Sequence, residues 1–246
     1  MNLIHPPIFA LVDKEAARKQ WNDRFNNRQP GAERKPGKIN VRAAATADTT
    51  EILLYDEIGY WGVTAKEFNA ELAKITTASV LVRINSPGGD VFDGLAMYDA
   101  LQAHTAAVTC RVDSLAASAG SIVALAGKQV VMAENALMMC HKAWSFSIGN
   151  SADMMETASV LEKIDGRLAS IYAKKTGKPV ADCAAMMAGE GKADGTWFTA
   201  EEAKAFGLVD EVDGSTDDQA DDAATANAVR LHVAAMKRRL AIAERE

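Results

Sequence analysis

SVLVRINSPGGDVFDGLAMYDALQAHTAAVTCRV, residues 79–112, decides the fold. Its opening run, SVLVRI, has the β-branched alternation of a half-buried strand. Pro87-Gly88-Gly89 then breaks the strand, and Asp90 to Ala103 sets Val91, Leu95, Tyr98 and Leu101 on one helical face. A second strand, AVTCRV, comes at once after it. Strand, glycine turn, helix and strand in this order are the repeating unit of an α/β domain. The pattern extends outward on both sides. EILLY (51–55), QVVMA (129–133) and LMMCH (137–141) read as further strands. A Thr64/Glu67 capping box opens a helix over Thr64 to Thr77. Asn150 to Lys175 reads as a long helix, with Met154, Ala158, Leu161, Ile164, Leu168 and Ile171 spaced by three and four. A second capping box, Thr199/Glu202, starts a helix that Gly207 stops before the strand LVDEV (208–212). The crossover helices predict ββα-like or βαβ units from Glu51 to Val212.

A chain of 246 residues that is 48% hydrophobic can bury one main core, with tails on either side. Residues 1–50 form a basic extension, with nine Lys/Arg against four Asp/Glu between Asp13 and Arg42. Residues 51–213 form the domain. Residues 214–246 form an acidic linker and a last helix whose Val229, Val233, Met236, Leu240 and Ala243 make a heptad-like seam. A net charge of −6 gives no global reason to bind nucleic acid or an acidic membrane. Leu115 to Gly127, the longest weakly polar run, is shorter than the ~20 residues that span a bilayer, and reads as a packed helix. The first residues lack the basic start of a signal peptide, so a cytoplasmic protein is expected. Cys110, Cys140 and Cys183 form no CxxC pair and read as buried small hydrophobes. With no metal-ligand cluster or nucleotide-binding loop, no cofactor is expected.

Three segments carry candidate chemistry. RINSPGGDVFDG (83–94) presents backbone N–H groups at a helix start, able to hold a phosphate or the oxyanion of a tetrahedral intermediate. Such turns are also common as plain connections. DSLAASAGSIVALAG (113–127) puts Ser118 among small residues at a strand-to-helix junction, an elbow without the GxSxG motif. Its serines could equally serve close helix packing. ENALMMCHKAW (134–144) ends a strand at His141, at the same rim of the sheet, where a serine hydroxyl would find the base it needs. The ordered set of Gly-Gly, Ser and His favours nucleophilic catalysis over three separate structural roles.

INSPGGDVFDG, SLAASAGSIVALAG, NALMMCHKAW and WFTAEEAKAFGLVDEV, in this order, resemble the Clp protease proteolytic subunit over about residues 51 to 212. The resemblance implies the Clp/crotonase-type α/β fold, a ββα superhelix. It also implies a serine peptidase with Ser118 as nucleophile, His141 as general base, and an oxyanion hole from the N–H groups of Gly88 and Ala119. Members of the family form stacked rings around a chamber, with the helix after Asn150 supplying ring-to-ring contacts. DEIGYWGVTAKEF, Trp144 and TWFTAEEA look most like phage head-maturation proteases related to Clp. That branch implies capsid and scaffold proteins as substrates, in the bacterial host cytoplasm or inside a prohead.

The third triad member departs from the pattern. In GEGKADGTWFT (189–199), Gly191 aligns with the family aspartate; Asp194 is the favoured substitute, Glu190 the second, and a Ser-His dyad the third option. Residues 1–50 do not match the loops by which the Clp subunit meets its unfoldase, so an ATP-independent enzyme is expected. Two rival readings stand beside it: a crotonase-like acyl-CoA enzyme on the same fold, and a non-catalytic shell or scaffold protein.

Overall fold

A computed structural model of the protein describes residues 39–44, 48–145, 147–189 and 195–214. The expected C-terminal helix and most of the N-terminal extension lie outside these residues. The elements run β1 (Asn40–Ala43), β2 (Thr49–Leu54), α1 (Ala65–Leu72), β3 (Ser79–Ser86), α2 (Val91–Ala103), β4 (Ala107–Ala117), α3 (Ala119–Ala124), β5 (Gln129–Ala133), β6 (Leu137–Cys140), α4 (Ser151–Thr176), α5 (Val180–Ala188), β7 (Thr196–Thr199), α6 (Ala200–Phe206) and β8 (Glu211–Asp213).

The main sheet has the order β1-β2-β3-β4-β5-β8 and is parallel except at β1, which pairs antiparallel with β2. Alternation along β3 buries Val80, Val82, Ile84 and Ser86 on the helix-covered face, as the period of two requires. On the other face Asp113 takes a bidentate bond from Arg83 and a second pairing from Arg111, which also reaches Asp213 on β8. Tyr55 donates to the same carboxylate; burial first and this bond second push its phenol pKa up.

β4 is the strand that shapes the site. Its first half pairs with β5 (Thr109–Val112), while Leu115–Ala117 turn away to pair in parallel with β6. The register against β3 shifts at the same place, from Ile84↔Val112 to Ser86↔Ala116. Extra residues on one strand bend it and re-aim the chain beyond the bend. β6 then continues the branch to β7, which runs antiparallel to it.

Three expectations change here. The sheet reaches back to Asn40, ahead of Glu51, because β1 covers the edge of β2. Leu115 to Gly127 is not one helix: Leu115–Ala117 complete β4 and only Ala119–Ala124 are helical. The α1 helix ends at Leu72, short of Thr77. The helix beginning after Asn150 is as long as its spacing predicts, at 26 residues or about 39 Å. Its buried residues, Leu168, Ala169, Ile171 and Tyr172, all lie in the second half, whereas Met154, Met155 and Val160 in the first half are exposed. All three cysteines are buried and free. Among the described residues no helix is long and apolar enough to cross a membrane.

Candidate active site

The site lies where the β4–β6 branch ends. Register pairs Ala117 with Met139, so the residues that leave the two strands, Ser118 and His141, emerge side by side. Ser118 donates its N–H to the Met139 carbonyl at 2.9 Å, and its Oγ stands 2.7 Å from His141 Nε2. For Nε2 to accept the hydroxyl proton, the ring hydrogen must sit on Nδ1. His141 is buried, at 8% exposure, which keeps water from competing for that bond.

Ser118 has φ 54° and ψ −124°, and it is the single non-glycine residue with positive φ among those described. A side chain in that region costs on the order of 1–3 kcal/mol and persists only where the surroundings over-determine it. The turn swings Oγ off the line of the strand and starts α3, whose first residues, Ala119 and Gly120, are buried and small. Gly94 on α2 lets that helix approach: a Cβ there would stand 3.0 Å from the Cβ of Ala119.

Gly88 presses against the elbow. It has φ 89°, and a Cβ on it would stand 2.5 Å from the Ala117 carbonyl oxygen and 2.7 Å from Ser118 Cβ. Its carbonyl accepts from Ile58 N–H at 2.8 Å, and Asp90 N–H returns to the Ile58 carbonyl at 2.9 Å, so the turn is pinned on the 56–63 loop. The Gly88 amide also has a partner inside the turn. Gly88 N–H donates to Ser86 Oγ at 3.1 Å, and Ser86 Oγ in turn donates to the Asp56 carbonyl at 2.7 Å. Among the described residues the amides of Gly89 and Ala119 carry no such bond. The Gly88 amide is thus engaged within its own turn, and Gly88 meets the elbow through its close packing.

The base is held from several sides. Beyond His141, Lys142 N–H reaches the Met187 carbonyl at 3.2 Å and Ala143 N–H reaches Asp165 Oδ1 on α4 at 2.8 Å. Gly195, with φ 86°, packs so closely on His141 that a Cβ would collide with its Cα and Cβ. β7 starts from this point, Thr196 pairing with Cys140. Gly195 is a site residue that the sequence reading passed over; the signal available was a glycine adjoining the favoured acid. Asp194 and Glu190 lie outside the described residues. Trp144 is exposed, at 55%.

The comparisons cover the segment that carries this geometry. The Clp protease family profile matches residues 43–216, which span β2 to β8 and include Gly88, Ser118 and His141. The chain belongs to the Clp protease family. Among Clp relatives, proteolytic subunit 1 of the ATP-dependent Clp protease of Salinibacter ruber is 30% identical, over 75% of this chain and 82% of its own. Proteolytic subunit 3 of the Rhodococcus jostii enzyme is 35% identical, over 54% of this chain and 64% of its own, so the match spans just under two thirds of that relative. A solved Clp structure, a ClpP1 mutant from Listeria monocytogenes, superposes with a TM-score of 0.58 at 22% identity, covering 68% of this chain and 92% of that one. The Clp-like α/β fold is thereby established.

Proposed function

We propose that this Clp-family chain is a serine endopeptidase in which Ser118 is the nucleophile and His141 the general base. The observation that carries the reading is the 2.7 Å contact between Ser118 Oγ and His141 Nε2 at a strained elbow. In the first step Oγ bonds to the peptide carbonyl carbon while its proton passes to Nε2. The carbonyl π pair becomes an oxyanion, received by the amides of Gly89 and Ala119. His141 then returns the proton to the departing amine, and water repeats the sequence on the acyl-enzyme. Asp194, bonded to the glycine that packs on His141, is the acid proposed to orient the imidazole.

The finer reading is a phage head-maturation protease, acting without ATP on capsid or scaffold proteins in a host cytoplasm or prohead. DEIGYWGVTAKEF, Trp144 and TWFTAEEA support it, together with a basic segment before residue 50 in place of unfoldase-docking loops. A ring-shaped assembly, with the exposed first half of α4 bridging rings, fits the apolar residues Met154, Met155 and Val160 on that half. High local concentration in a closed shell would replace active delivery.

A fluorophosphonate probe and a co-expressed capsid protein test both levels. Wild type should be labelled at Ser118 and process the capsid chain without an ATPase, while Ser118→Ala should lose on the order of 10⁴-fold or more in rate with its assembly intact. Equal processing by the two would leave the scaffold reading. An unlabelled Ser118 with activity on acyl-CoA would favour the crotonase reading.

A further inference from the structure

Behind the Ser118–His141 pair runs a buried chain of hydroxyls for which the proposed chemistry has no use. The Ser118 carbonyl is held twice by one residue, from Ser121 N–H at 3.0 Å and from Ser121 Oγ at 2.6 Å. Ser121 Oγ also stands 2.7 Å from Tyr172 OH. Because the Ser121 hydrogen is spent on the Ser118 carbonyl, Tyr172 must be the donor in that contact. The thiol of Cys140, the residue preceding His141, lies within hydrogen-bonding reach of both hydroxyls. Ser121 and Cys140 are 0% exposed and Tyr172 is 1% exposed, so none of them touches substrate.

The chain joins the two halves of the catalytic pair from behind. One end is the backbone of the strained nucleophile, and the other is covalently next to the base. Sequential hydrogen bonds in a dry interior strengthen and orient one another. A strained backbone needs such surroundings to stay in place. Without the Tyr172 hydroxyl, Ser121 Oγ loses the bond that fixes its rotamer, and the Ser118 carbonyl loses its aimed donor.

We propose that Tyr172 is a positioning residue for the nucleophile, acting through Ser121 to hold the Ser118 elbow in register with His141. The proposal rests on Ser118 being the nucleophile. It predicts an effect on the chemical step alone, since small misplacements of reacting atoms are costly in rate and the residue is out of reach of any ligand.

The test measures the saturable inactivation of the full chain by a fluorophosphonate, separating kinact from KI, for wild type, Tyr172→Phe, Ser121→Ala and the double variant. Tyr172→Phe should lower kinact about five- to tenfold with KI unchanged. Ser121→Ala should lose at least as much, and the double variant should be no worse than Ser121→Ala. Should Tyr172→Phe fail to fold, Ser121→Ala breaks the same link from the other side and still decides the matter. Losses within twofold, losses confined to KI, or losses that multiply in the double variant would each overturn the proposal. An inert wild type would instead overturn the serine-peptidase reading.

Discussion

A methyl group at position 88 would meet the Ala117 carbonyl oxygen at 2.5 Å, Ser118 Cβ at 2.7 Å and Ala119 N at 2.9 Å, with φ at 89°. Those atoms are backbone or the elbow itself, so nothing flexible can yield. Gly88→Ala should therefore destabilise the protein by about 2–4 kcal/mol. It should also slow fluorophosphonate labelling of Ser118 at least tenfold where the protein remains folded. Thermal melting and labelling rate check the two effects, and labelling at the wild-type rate would refute the placement of the turn against the elbow. At this scale the order of Gly-Gly, Ser and His was legible, because each residue ends a strand whose pattern is plain. The engagement of the Gly88 amide within its turn was not. It depends on Ser86, which looks like an ordinary strand residue but points inward and takes the Gly88 amide.

At the scale of elements, α4 offers a clean contrast between a bare glycine and a working cap. Gly166 sits mid-helix on an exposed face, and a Cβ there would meet nothing within 4 Å. Gly166→Ala should stabilise the helix by about 0.5–1 kcal/mol, read as a rise in Tm with labelling unchanged. A fall in Tm would show that the face is covered by another chain in the assembly. The opposite substitution tests the cap: Asn150 accepts from Ala152 and Asp153 N–H and shares a capping box with Asp153, so Asn150→Ala should cost about 1 kcal/mol. This helix, α2 and α6 were legible to within a residue or so because caps and periodicity agree. β1, β7 and α5 escaped notice. β1 and β7 are four residues each and take their stability from strand pairing, while α5 follows Pro179, an N-cap without a side-chain bond. The Leu115–Gly127 run was misread because Ala and Gly suit both a strand end and a helix start; the pairing with Leu137–Met139 decides it.

For the whole molecule the buried thiols set a limit on alkaline stability. Burial pushes Cys110 and Cys140 up to about 12 from an ordinary value of 9.0, both being 0% exposed. In the unfolded chain these thiols ionise as pH passes 9, whereas the folded protein keeps them neutral. The unfolded state then binds fewer protons, so stability is full below pH ~9 and falls as pH rises toward 12. Each thiol contributes a slope of about 1.4 kcal/mol per pH unit, and the pair about 2.7. Urea unfolding at pH 8, 9, 10 and 10.5, with reductant and at one protein concentration, should show this decline. Lysines and tyrosines titrate in the same range, but they are common to wild type and Cys110→Ala. The difference in slope between the two proteins therefore isolates one thiol: Cys110→Ala should decline less steeply by about 1.4 kcal/mol per pH unit. Parallel declines would mean that Cys110 is ionised or solvated in the folded state, contrary to its fully buried place on β4.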